Sequence, residues 1–259
     1  MIPDQQADRW LVVFPRDCRA MAAVEFAIVF PVILALMAGA FELSQAVQTA
    51  HQLGTLANSI STMLATTFPC TKSTATPSVT STTACTNGPQ PMGVVTYIDL
   101  HYAFDSAMLI FPLVLSNSYS KGVAWGNDIS ISMAGVSFTP TVSGCTSGCT
   151  YKANVVWTGA SEKRACGTNP TSVPDTAEPS PTTLPADLFY TVTTPTGTAA
   201  PLFAVVVDVN YAWTPLIFSS FFGTIIMQRS AYITPRNVSQ IKYSTVTGDD
   251  GFGKECPGF

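Results

Sequence analysis

From Ala20 to Phe41 the chain runs for 22 residues with one charge, Glu25. An apolar stretch of that length crosses the roughly 30 Å hydrocarbon core of a bilayer as a single helix. The rest of the chain must then be sorted to one side or the other. Arg9, Arg16 and Arg19 precede the run, and the next Lys or Arg after it is Lys72. That asymmetry predicts a cytoplasmic N-terminus and an outer C-terminal part. Pro31 and Gly39 inside the run are tolerated in membrane helices. Charged residues make up only 11% of the chain, against about 25% in an ordinary soluble domain. The mean hydropathy is +0.29, which also fits a membrane-attached protein. The net charge of -4 and the absence of a Lys/Arg block exclude a phosphate-binding stripe, so no nucleic acid is expected as a partner.

A secretory signal peptide is the competing reading. Arg16 and Arg19 would supply its basic region and Ala38-Gly39-Ala40 its cleavage site, releasing a secreted protein cut after Ala40. Glu25 early in the apolar core argues against it, as does the pattern that follows. Leu43, Ala46, Ala50, Leu53, Ala57, Ile60 and Leu64 continue at alternating steps of three and four, the signature of one buried helical stripe. Nothing breaks the pattern before Phe68-Pro69. One helix from about Ala20 to about Thr67 would be roughly 70 Å long at 1.5 Å per residue. Two separate helices are the alternative.

Beyond Pro69 the composition shifts. Six cysteines follow the apolar run: Cys70, Cys85, Cys145, Cys149, Cys166 and Cys256. An even count on the outer side suits disulfides in an oxidising compartment. Zinc would want paired short spacings, and Cys145-x3-Cys149 is the one close pair. Cys70 and Cys85 bracket most of a Thr/Ser/Pro-rich stretch, and a bridge between them would tie off a loop. Val94–Tyr102, Ile129–Phe138, Tyr151–Thr158, Leu202–Trp213 and Ile225–Ile233 read as strands, rich in Val, Ile and aromatic residues. The expected fold class is α+β: a long N-terminal transmembrane helix continuing into a helix packed on an antiparallel β-sheet. Residues 167–201 form a Pro/Thr-rich insertion expected as an exposed loop. The apolar patches Ala107–Leu115 and Leu216–Met227 are too short to span a bilayer. Core packing is the expectation for both. The second, with Phe218, Phe221 and Phe222, could alternatively face a membrane surface or a partner subunit.

Little points to catalysis. His51 falls on the long helix and His101 on a predicted strand, with no Ser/His/Asp grouping and no Gly-rich phosphate loop. Asp128-Ile-Ser130-Ile-Ser132 spells the DxSxS pattern of metal-dependent adhesion sites. Such a site follows a buried parallel strand, and the preceding SKGVAWGN is poorly apolar. Ile129 and Ile131 read instead as one face of a strand. No metal, cofactor or catalytic residue is expected.

The segment AAVEFAIVFPVILALMAGAFELSQA resembles the N-terminal motif of TadE-like proteins, minor pseudopilins of the Tad (Flp) pilus system. The matching residues are Ala22 to Ala27, including Glu25 and Phe26, with Pro31 and the later FELSQA. The stretch from Val205 to Arg236 is similar to the family's closing strand pair. The resemblance implies a pilin-like fold and cleavage by a prepilin peptidase between Ala20 and Met21. Family members usually carry Gly at the position of Ala20. It further implies that the new amine of Met21 pairs with Glu25, the fifth residue of the cut chain, on a neighbouring subunit. Glu25 and Phe26 would then set subunit register. Without that partner, Glu25 would snorkel to the cytoplasmic headgroups.

The predicted organisation is a cytoplasmic leader over 1–19, a transmembrane helix over 20–41 and an amphipathic extension over 42–68. A disulfide-bonded periplasmic domain follows over 69–259. The chain would sit as a single-pass protein in the bacterial inner membrane, with other pilus-system subunits and a prepilin peptidase as partners. Its work would be assembly, not catalysis. A membrane-anchored periplasmic enzyme or adhesin with an unrelated outer domain is the alternative.

Overall fold

The computed structural model describes residues 18–67, 92–140, 151–168 and 202–257. Helix α1, Cys18–Ala65, opens the described chain as one continuous element of 48 residues. The single-helix expectation therefore holds, with the start two residues before Ala20. Pro31 lies inside it and withholds one backbone donor without ending the helix.

The chain divides into two compact units. One combines α1 as far as Val47 with Thr214–Gly223; the other runs from Gln48 to Trp213 and from Thr224 to the C-terminus. In the first unit α1 is exposed almost throughout, with Phe26, Ile28, Leu36 and Met37 each at least 66% accessible. In the second unit the same helix buries Leu53, Leu56, Ala57, Ile60 and Leu64 at 3% or less. The expected stripe is thus real from Leu53 onward. Leu43, its expected first member, is exposed, and the buried residue there is Glu42.

After β1, Met92–Val95, comes helix α2, Tyr97–Ile110. This corrects the expected strand over Val94–Tyr102, and it moves His101 from a strand to a helix. The cause is local. Thr96 donates from its N–H and its Oγ1 to Asp99 Oδ2, both at 2.8 Å, and a Thr-x-x-acid box starts a helix. Helix α3, Leu113–Lys121, follows at 89° to α2 across Phe111-Pro112. The patch Ala107–Leu115 is therefore a bent helical corner. Its Ala107, Phe111 and Val114 are fully buried, as core packing requires, while Leu109 is 86% exposed.

A short helix α4, Trp125–Asp128, leads into the main sheet. Its strands are β2 (Ile129–Pro140), β3 (Tyr151–Ala160), β4 (Gly167–Thr168), β5 (Leu202–Trp213) and β6 (Ile225–Ile233). Their order is β4-β3-β2-β5-β6, all antiparallel, with β8 (Gly253–Glu255) also paired to β3. Four of the five expected strands are present with nearly the expected limits, and β5 pairs with β6. Gly167 and Thr168, expected to begin a loop, pair with Val155 and Asn154. The remainder of that loop lies outside the described residues.

Side chains alternate across a strand, and here both faces are covered. Ala134, Val136, Phe138, Val155, Ala204 and Val206 form one buried cluster. Ile131, Met133, Val205, Val207 and Val209 are fully buried on the opposite face. Over that second face lies β7 (Gln240–Tyr243), parallel to β1 in a separate two-stranded sheet. The Trp157 indole N–H donates to the Ile241 carbonyl at 2.9 Å and fixes β7 against β3. Cys166 and Cys256 are joined by a disulfide. Of the other cysteines expected in bridges, Cys70, Cys85, Cys145 and Cys149 lie outside the described residues.

One charge sits inside the sheet. Asp208 is fully buried, and its Oδ2 accepts from Arg164 Nε at 2.8 Å and Nη2 at 2.6 Å. Its Oδ1 accepts from Ser230 at 2.6 Å. Buried charges persist when paired and hydrogen-bonded in this way.

Candidate functional site on the long helix

Among the described residues, α1 is long and apolar enough to cross a membrane by itself. From Met21 to Phe41 its axis advances about 30 Å, the thickness of a hydrocarbon core. Met21 is 69% exposed at its start, and Ala20 precedes it in the same helix. Glu25 follows one turn later. It is exposed, and among the described residues it has no hydrogen-bond or ion-pair partner. Phe26, beside it, is 66% exposed and stacks on Phe30 at 5.2 Å, the i,i+4 neighbour. Acid and aromatic ring are thus presented outward about one turn after Met21.

The second acid of α1 behaves oppositely. Glu42 is only 6% exposed, between Phe41 at 51% and Leu43 at 68%. Its Oε1 accepts from the backbone N–H of Ile217 and from that of Phe218, the latter at 3.1 Å. Those two donors directly precede the short helix α5, Ser219–Phe222. Sequence reasoning noticed Glu42 only as part of FELSQA. The two backbone donors lie 175 and 176 residues away, beyond any local signal.

The other candidate residues of the sequence lie in the second unit. Lys121 Nζ sits 2.5 Å from Asp128 Oδ1. Ser130 and Ser132 belong to β2, between antiparallel neighbours β3 and β5. The DxSxS pattern therefore does not occupy the loop after a parallel strand that an adhesion-type metal site needs. His101 Nε2 lies 2.8 Å from Asp250 Oδ2, and its ring stacks on Phe252 at 3.9 Å. The Phe252 N–H, and after it His101, hold the Asp250 carboxyl below its ordinary range. His51 is exposed on α1. No group of three His, Cys, Asp or Glu residues able to hold a metal occurs among the described residues.

The exposed apolar half of α1, with its early acid, coincides with a known sequence family. Residues 20–60 match the family model of the TadE-like proteins. The TadE-like segment contains Ala20, Met21, Glu25, Phe26 and Glu42, and it ends inside the buried stripe of α1. The α2–β8 region lies outside it. Neither the curated proteins nor the solved structures gave a match to this chain.

Proposed function

We propose that this chain is a minor pseudopilin or membrane-anchored assembly component of a Tad (Flp) pilus. The observation that carries the reading is the placement of the TadE-like segment. It falls on the one described helix suited to a bilayer, and Glu25 stands on that helix's outward surface without a partner from the described chain. An acid in lipid demands compensation. Cleavage between Ala20 and Met21 by a prepilin peptidase would supply it, because the freed Met21 amine of one subunit can pair with Glu25 of the next. Glu25 and Phe26 then set axial register between packed helices.

The proposed topology places residues 1–19 in the cytoplasm, 20–41 in the inner membrane and the remainder in the periplasm. Arg9, Arg16 and Arg19 on one side support it. The Cys166–Cys256 bridge on the other side belongs to an oxidising compartment. A secreted product cut after Ala40 is disfavoured, since α1 passes through that position unbroken and uses Glu42 just beyond it.

Intact mass of the protein isolated from membranes tests processing. A chain beginning at Met21 is expected. One beginning at Phe41 would overturn the pseudopilin reading in favour of a secreted protein.

A further inference from the structure

Thr214 to Gln228 contains no charged residue. Within it, Leu216, Ile217, Phe221 and Phe222 are 76%, 52%, 83% and 68% exposed. Four large apolar side chains left open within seven residues need a cover other than water. The same loop belongs to one compact unit with the apolar part of α1. It is fastened there by Glu42, whose carboxylate takes the Ile217 and Phe218 N–H groups.

The level of that fastening identifies the cover. Glu42 follows the 20–41 stretch directly, so it lies about 30 Å along the helix from Met21, where a hydrocarbon core ends. A segment tied to Glu42 lies at the outer boundary between headgroups and acyl chains. That is the depth at which the Phe- and Leu-bearing faces of interfacial segments embed. We propose that the 216–222 loop is a second membrane contact, inserted in the outer leaflet and clamped to the spanning helix by Glu42. The clamp solves two problems together. It satisfies two backbone donors that lipid could not, and it buries the charge that would otherwise face the bilayer. The loop and the anchor then meet the membrane as one piece. This inference rests on α1 spanning the bilayer, and it is independent of pilus assembly.

The test uses the full chain in vesicles of phosphatidylethanolamine and phosphatidylglycerol. p-Benzoylphenylalanine is placed at Phe222 or, as a reference, at Val32 within the span. After irradiation, mass spectrometry identifies what has been captured. Lipid adducts are expected at both positions. Glu42→Ala should lower the adduct at position 222 by about tenfold, as expected for loss of hydrogen bonds to a charged acceptor. It should leave the adduct at position 32 unchanged, and Glu42→Gln, which keeps an acceptor oxygen, should retain most of the capture at 222. A covalent protein dimer as the main product at 222 would overturn the proposal by assigning the loop to a second copy. Capture at 32 without capture at 222 would overturn it while leaving the span intact. No capture at either position would remove the span and the loop contact together. An undiminished adduct in Glu42→Ala would eliminate the clamp.

Discussion

Three acids in this chain stand in apolar sequence, and each meets its surroundings differently. Glu25 is exposed and without a described partner, Glu42 accepts two backbone N–H groups, and Asp208 is held by Arg164 and Ser230. Only Asp208 is matched by a full opposite charge, so removing that charge should be costly. Arg164→Met is expected to destabilise the second unit by about 3–5 kcal/mol, the usual consequence of stranding a buried charge. Thermal unfolding in detergent would measure it. The tyrosines give a second residue-scale test. Burial, aided by Asp128, pushes the Tyr211 phenol well above its ordinary value. Burial and the hydrogen bond to Asp249 do the same for Tyr243. Tyr232 is raised by burial and by Asp208. A raised phenol pKa stabilises the fold below the unfolded value of about 10. That stability is lost as pH climbs toward the folded value. Of the eight tyrosines, these three should resist ionisation in alkaline absorbance titration until the protein unfolds. Ionisation of all eight near pH 10 in the folded state would contradict this.

At the scale of elements, the readable parts were those with a long pattern. The 20–41 run and the Leu53–Leu64 stripe specified α1, and runs of Val, Ile and aromatics specified β2, β3, β5 and β6. The misreading over Val94–Tyr102 has a local physical reason. A four-residue strand is followed at once by the Thr96–Asp99 box, so two short signals overlap and the helix wins from Tyr97. The start of the stripe was misplaced because an acid was not counted as buried. Glu42, Thr49, Leu53, Leu56, Ile60 and Leu64 are the buried series. Strands β7 and β8 span only four and three residues and depend on distant partners, so no window of sequence defines them. The sheet also has a tight position that sequence does not reveal. A Cβ added at Gly135 would collide with the Trp157 indole and the Phe203 ring. Gly135→Ala should therefore cost about 1–3 kcal/mol through overpacking, read as a lower unfolding midpoint. An unchanged midpoint would mean that the two rings yield without strain.

At the scale of the whole molecule, the chain combines a helix that leaves its first half open and a domain whose sheet is covered on both faces. The candidate site was legible in sequence, since Glu25 is conspicuous as a lone charge among apolar neighbours. The partner proposed for it is not legible there, because an amine on another chain leaves no trace in a single sequence. The central claim is that Glu25 acts between subunits. The most direct measurement is the number of surface pili, counted by electron microscopy, on cells whose own copy carries Glu25→Ala. Loss of pili is expected, with the variant still present in the membrane fraction. Normal piliation with that variant as the sole copy would contradict the claim.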